Sequence, residues 1–125
     1  MTRVKELWQH GLNVILGHDC VQDPWYSLGT GNMLDVTHMA VHVCRMTEMS
    51  EIEACFNMVT DNGAKTLNLE DKGYGIDVGN TADLIVLDAD ICYEAIRMRA
   101  AVRYVVSRGK LLAETVPAKS SFHGV

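Results

Sequence analysis

Several features are scarce or missing in this 125-residue chain, and each absence narrows what it can be. Only two prolines occur and no low-complexity tract or internal repeat is found; with 48% hydrophobic residues the chain can offset the entropy of ordering, so disorder over most of its length is not expected. No run approaches the ~18 apolar residues of a membrane-spanning helix. Residues 1–10 are amphipathic and lack the apolar stretch of a secretory signal. No basic stripe with interleaved aromatics is present and the formal net charge is −5, which argues against a nucleic-acid partner. None of the four cysteines (Cys20, Cys44, Cys55, Cys92) forms a C-x-x-C pair or a zinc-ribbon interval. Three of them lie among apolar residues at helical spacing, where reduced cysteine acts as a small hydrophobe. The expectation is a cytoplasmic globular domain whose partner is a small molecule, with no nucleic acid and no membrane.

What is present alternates between helix and strand patterns. Residues 2–10 predict a short helix, with Thr2 as N-cap, an apolar stripe of Val4, Leu7 and Trp8, and Gly11 just past its end. Residues 12–16 (L-N-V-I-L) predict a buried strand. Helix, glycine turn and strand together are the αβ half of a βαβ unit, which implies a parallel sheet flanked by helices. An irregular loop with one proline and two glycines follows over residues 21–31, long enough to suggest a functional role. A helix is predicted over residues 32–46, with Met33, Val36, Met39, Ala40, Val43 and Cys44 as its apolar face. Ser50 and Glu53 predict a capping box for a further helix reaching about residue 60, with Ile52, Cys55, Phe56 and Val59 inward. Asp61-Asn62-Gly63 is expected to break it, residues 64–69 to add a helical turn, and Gly73, Gly75 and Gly79 to mark a turn-rich passage. Strands are predicted over residues 82–88, 102–107 and 111–116, a helix over 93–99, and a hairpin turn at Arg108-Gly109-Lys110. The polar tail, residues 118–125, is left as an edge strand or a frayed end. The chain thus divides into an α-rich block, 1–75, and an antiparallel β-unit with one helix, 76–125.

The strongest chemical signal is His18-Asp19, just past the C-terminal end of the predicted buried strand. In parallel sheets and barrels ligands bind at that edge, and a carboxylate there can hold a metal or act as a general base. The plainer alternative is a turn-forming or capping aspartate. His38 and His42 share one helix face, but a metalloprotease would need glutamate where Met39 stands, so these histidines are assigned to the helix surface. Trp25 and Tyr26 suit either an aromatic wall over a flat substrate or anchors for their loop. The five methionines from Met33 to Met58 are assigned to helix packing. Cys20 has no neighbouring base to activate it as a nucleophile.

Read together, the run G-H-D-C-V-Q-D-P-W-Y-S-L-G-T-G-N-M-L at residues 17–34 resembles the loop after the last barrel strand in the cytosine deaminase branch of the amidohydrolase superfamily. The resemblance continues through H-M-A-V-H-V-C (38–44), A-K-T-L-N-L (64–69), G-N-T-A-D-L-I-V-L (79–87) and V-R-Y-V-V-S-R-G-K (102–110), and so spans nearly the whole chain. It implies an α/β fold: the C-terminal portion of a metal-dependent (β/α)8 amidohydrolase barrel, followed by part of a small β-sandwich. It further implies that Asp19 is both metal ligand and catalytic proton carrier, that Trp25 lines the substrate pocket, and that His18 supports the ligand beside it. The implied reaction is hydrolytic deamination of cytosine to uracil and ammonia with one divalent metal, Fe, Zn or Mn. The H-x-E…P-C-x-x-C pattern of the base-flipping zinc deaminases is absent.

Two departures from the family matter. The family has a second aspartate where this chain has Cys20, close to the pyrimidine ring; a neutral, smaller side chain there implies acceptance of a 5-substituted ring such as 5-methylcytosine. The family's H-x-H pair, its two further histidines and its catalytic glutamate have no counterpart in these residues. A complete barrel needs about 250 residues, and one barrel strand is counted here. The 125-residue polypeptide alone is therefore expected to hold no catalytic metal, to be inactive, and to self-associate as a homo-oligomer through unpaired edges. Two alternatives remain: an amidohydrolase for another N-heterocycle or cyclic amidine, and a non-catalytic, self-associating barrel remnant.

Overall fold

A computed structural model describes residues 2–116, 118, 120, 121, 123 and 124. Its first helix, α1 (Val4–Gln9), begins later than the sequence pattern predicts: Arg3, not Thr2, stands at the N-cap, without a side-chain capping bond. Its end follows the prediction. Gly11 takes φ +75°, its N–H donates to the Trp8 carbonyl at 2.9 Å, and the Leu12 N–H donates to the Leu7 carbonyl at 3.2 Å. These two bonds make a Schellman closure, which the missing Cβ of glycine permits.

Residues 12–16 do not form the predicted strand. A parallel strand is defined by its neighbours, and among the described residues none runs beside this segment. It is held instead by separate bonds: the Leu16 N–H donates to the Met58 carbonyl at 3.0 Å, and the Asn62 side-chain amide to the Val14 carbonyl at 2.8 Å. From Val14 onward, Val14 and Leu16 lie against the core while Ile15 between them remains 45% exposed. That alternation is the geometry of an extended chain covered on one face only.

Helix α2 (Met33–Val43) starts where expected, with the Asn32 side chain accepting the Leu34 N–H at 3.0 Å. Its buried face is rotated from the predicted one: Leu34, Thr37, Ala40 and Val41 point inward, whereas Met39 and Val43 are exposed. Thr37 hides this face in the sequence. Its hydroxyl donates to the Met33 carbonyl at 2.8 Å, so a polar residue is satisfied locally and packs as an apolar one.

Helix α3 (Met49–Asn57) is opened by Glu48 and Glu51 rather than by Ser50 and Glu53. The Glu51 carboxylate accepts the Glu48 N–H at 3.2 Å and meets the Lys5 ammonium at 2.6 Å, tying α3 to α1. The break before the next helix comes at residues 58–60, and Asp61-Asn62-Gly63 open α4 (Asp61–Thr66) instead of ending α3. A short 3-10 turn (Glu70–Lys72) and the turn-rich passage follow, with Gly73, Gly75 and Gly79 all at positive φ.

β1 (Leu84–Leu87), α5 (Cys92–Met98), β2 (Val102–Ser107) and β3 (Lys110–Glu114) agree with their predicted positions to within two residues at most ends. The three strands form an antiparallel sheet in sequence order. Arg108 (φ +50°) and Gly109 (φ +73°) make the two-residue turn between the paired Ser107 and Lys110. The tail prediction for residues 118–125 falls partly outside the described residues, and those described there form no strand.

One core joins these parts. Met46, Cys55 and Met58 are fully buried, with Leu34, Val41 and Ile52 around them. Ala95, Ile96 and Ala100, from α5 and its end, pack into the same cluster. Trp8, Phe56, Leu87 and Tyr93 close its rim.

Candidate active site

The residues after the extended segment form a wall. Gly17, His18, Asp19 and Cys20 face Asp35, Val36 and Met39 on the first turns of α2, and Tyr26 closes a cavity of about 300 Å³ between them. The exposed face of α2, which contributes little to the core, is therefore the face turned to the cavity.

The loop is set by its own polar groups. Asp23 accepts the N–H groups of Trp25 and Tyr26, each at 2.9 Å, an Asx turn started by the Asp-Pro pair. The Tyr26 N–H above all holds the Asp23 carboxyl below the usual carboxylate range. Thr30 donates its hydroxyl to Asp35 at 2.8 Å and accepts the Asn32 N–H at 3.1 Å, fastening the loop's end to the start of α2. Gly29 is buried, and a Cβ added there would collide with the backbone carbonyl oxygen of Cys20. Only glycine lets the two limbs of the loop come this close.

Asp19 is exposed at the cavity edge, with the Cys20 sulfur 3.7 Å from its Oδ2. Hydrogen bonding to Asp23 first, then burial and the charges of Asp23 and Asp19, push the Cys20 thiol up to about 11. Roughly one molecule in 10⁴ then carries a thiolate at neutral pH, so Cys20 presents an uncharged thiol and not a nucleophile. The His18 ring lies 6.5 Å from that of Tyr26, centroid to centroid.

Of the residues singled out from the sequence, His18, Asp19 and Cys20 are brought together on one wall. Trp25 is not part of it; its side chain stands 90% exposed on the loop. Tyr26, which the sequence offers as either an aromatic wall or a loop anchor, closes the cavity, whereas Asp35, Val36, Met39 and Gly29 carry no site reading in the sequence. The Asp-Pro turn signal could have identified Asp23 as the loop's organiser, but no local pattern marks Gly29, whose constraint comes from a backbone nine residues away. Among the described residues no group of three or more His, Cys, Asp or Glu is placed to hold a metal ion, and no helix is long and apolar enough to cross a membrane.

Known proteins resemble the chain in sequence and fold. Over 98% of its length the chain is similar to 5-methylcytosine deaminase from Klebsiella pneumoniae, solved with 5-fluorocytosine, at 38% identity and a TM-score of 0.91. The same enzyme with phosphonocytosine gives 39% identity over 97% of the chain and a TM-score of 0.89. N-isopropylammelide isopropyl amidohydrolase from Pseudomonas sp. (strain ADP) is 29% identical over 89% of the chain. Pterin deaminase from Rhizobium rhizogenes (strain K84 / ATCC BAA-868) is 26% identical over 94%. The chain spans 29% of the length of the solved deaminase and 27% and 26% of the two curated relatives. The profile of the amidohydrolase family matches residues 1–113, and the chain belongs to that family.

Proposed function

We propose that this chain is the C-terminal part of a metal-dependent hydrolase that deaminates cytosine or a 5-substituted cytosine, giving uracil or its 5-substituted counterpart and ammonia. In this reading residues 1–75 close a (β/α)8 barrel and residues 76–125 contribute to a small β-sandwich. The observation that carries it is the Asp19–Cys20 pair on the cavity wall, a carboxylate beside a neutral thiol. The likeness to a 5-methylcytosine deaminase supports it.

Asp19 is the residue here that would hold a divalent cation, Fe, Zn or Mn. Its carboxylate is exposed, makes no ion pair among the described residues and accepts only the Cys20 thiol at Oδ2, so it remains open to a cation and a proton. As a single carboxylate it fits as one ligand of a set completed by the rest of the polypeptide. The chemistry such a cation supplies when bound is acidification of water at neutral pH. Asp19 then takes the proton of the attacking water and delivers it towards the leaving amine. Cys20, with Val36 and Met39 beyond it, offers the pyrimidine 5-position an uncharged surface, where a methyl group is worth ~1–3 kcal/mol. Trp25, which stands outside the cavity, would line the ring only with the rest of the polypeptide packed against its loop, and His18, against Tyr26, steadies the segment that carries Asp19.

The test is kcat/KM for 5-methylcytosine and for cytosine on the full polypeptide. The 5-methyl substrate should do at least as well, and Cys20→Asp should swing the ratio towards cytosine; a strong wild-type preference for cytosine overturns the reading. The isolated 125-residue polypeptide should bind no catalytic metal and release no ammonia. A second reading, another N-heterocycle or cyclic amidine as substrate, is favoured by the N-isopropylammelide and pterin relatives. Turnover of such a ring without turnover of either cytosine would establish it. Homo-oligomer formation belongs to the proposal, and size-exclusion chromatography tests it.

A further inference from the structure

One pair of side chains takes no part in the cavity or the core. His38 and His42 lie four residues apart on the 11-residue helix α2, so their rings share one face. The ring centroids are 4.8 Å apart, edge to face. Neither ring makes a hydrogen bond among the described residues. His42 is exposed and His38 half-buried, and both border a cavity of about 220 Å³ with Thr47, Tyr93 and Arg97.

We propose that His38 and His42 form a two-imidazole site for a divalent transition cation of the Cu, Ni, Zn class, separate from the site containing Asp19. Metal–nitrogen bonds of about 2.0–2.1 Å place each ring centroid about 3.2 Å from a shared ion. With nitrogens about 90–110° apart at the ion, the centroids would stand about 4.5–5.2 Å from each other. The observed 4.8 Å falls inside that range, so the rings need only rotate about their side-chain bonds to converge. Their one-turn spacing on a regular helix supplies the preorganisation, and imidazole suits these cations better than Mg or Ca.

The surrounding charges are mixed, and the Arg99 guanidinium, offset only in part by Asp35, opposes a cation. Arg97 is neutralised by Glu94 at 2.6 Å, and Arg99 lies 3.9 Å from Asp35. Burial first, then His42 and Arg99, hold His38 below the ordinary histidine value, which favours the neutral ring that binds metal. Two protein ligands leave the remaining positions to water, so the site binds reversibly and in the order Cu above Ni and Zn.

The experiment uses the full polypeptide, untagged and with its catalytic site already loaded. Cu²⁺ is titrated by calorimetry and followed by electron paramagnetic resonance. Wild type should take up one further equivalent with a signal showing two coordinated nitrogens. His42→Ala, at an exposed position, should keep the fold, lose one nitrogen from that signal and bind about tenfold more weakly or worse. His38→Ala should do the same, whereas His10→Ala should bind as wild type does. The absence of a saturable further equivalent, or equal Cu²⁺ affinity in wild type and His42→Ala, overturns the proposal. The readout is binding, so it is independent of which ring the enzyme deaminates.

Discussion

Replacing Gly29 with alanine tests how the loop holds the site. The added Cβ would meet three backbone atoms: the Cys20 carbonyl oxygen, well inside contact distance, Val21 Cα at 3.0 Å and Cys20 C at 3.2 Å. None is the end of a flexible side chain, so relief requires the Gly29 and Cys20 limbs to separate by about 1 Å before ordinary contact returns. Asp19 is the residue next to the displaced carbonyl. A misplacement of about 1 Å at a reacting group costs about 100-fold in rate, or about 2.7 kcal/mol of barrier. The overpacking itself should lower stability by about 1–3 kcal/mol. The assay is steady-state turnover of the proposed substrates by the full polypeptide, alongside its thermal midpoint. Gly63→Ala is the control: nothing lies within 4 Å of a Cβ there and Gly63 sits inside α4. It should leave kcat/KM unchanged and raise stability by about 0.5–1 kcal/mol. If Gly29→Ala matches wild type within about twofold in kcat/KM, at a rate step well below the 100-fold expected from misplacement, the reasoning fails.

Further outcomes follow from the same geometry. Met58→Ala empties a fully buried position while leaving the Leu16 N–H bond to its backbone carbonyl, so urea unfolding should show a loss of about 2–5 kcal/mol from packing alone. Asp23→Ala removes the acceptor for both the Trp25 and Tyr26 N–H groups and should lower kcat/KM more than Asp23→Asn, which keeps an acceptor oxygen. Asp83 accepts the Ser107 hydroxyl at 2.6 Å and the Arg108 N–H at 2.8 Å, and the Ser107 bond above all holds its carboxyl below the usual range. Its contribution to stability is therefore complete above the unfolded value of about 4 and is lost as pH falls through the folded value. Asp83→Asn should flatten the fall in stability on the acid side, read from unfolding titrations between about pH 2 and 5.

What the sequence determined alone is whatever depends on neighbours along the chain. The Schellman end of α1 at Gly11, the Asn32 cap of α2 and the Arg108-Gly109 hairpin are each written within a few residues, because the bonds that make them span a few residues. His18-Asp19 stands out along the chain because a polar pair follows an apolar run, whereas a place for Cys20 beside a ring comes only from the resemblance to the cytosine deaminase branch. Only the tertiary structure decided the rest. Residues 12–16 look like a buried strand, but a strand exists only with a paired neighbour, and here the segment is covered on one face. The inward face of α2 turns on Thr37, whose hydroxyl is satisfied by its own helix, so polarity along the sequence misdirects the period. Gly29 is indispensable because a backbone folded back from Cys20 occupies the space of its Cβ. α5, which the sequence groups with the sheet, packs into the core built by α2 and α3, since burial answers to proximity in space and not to order along the chain.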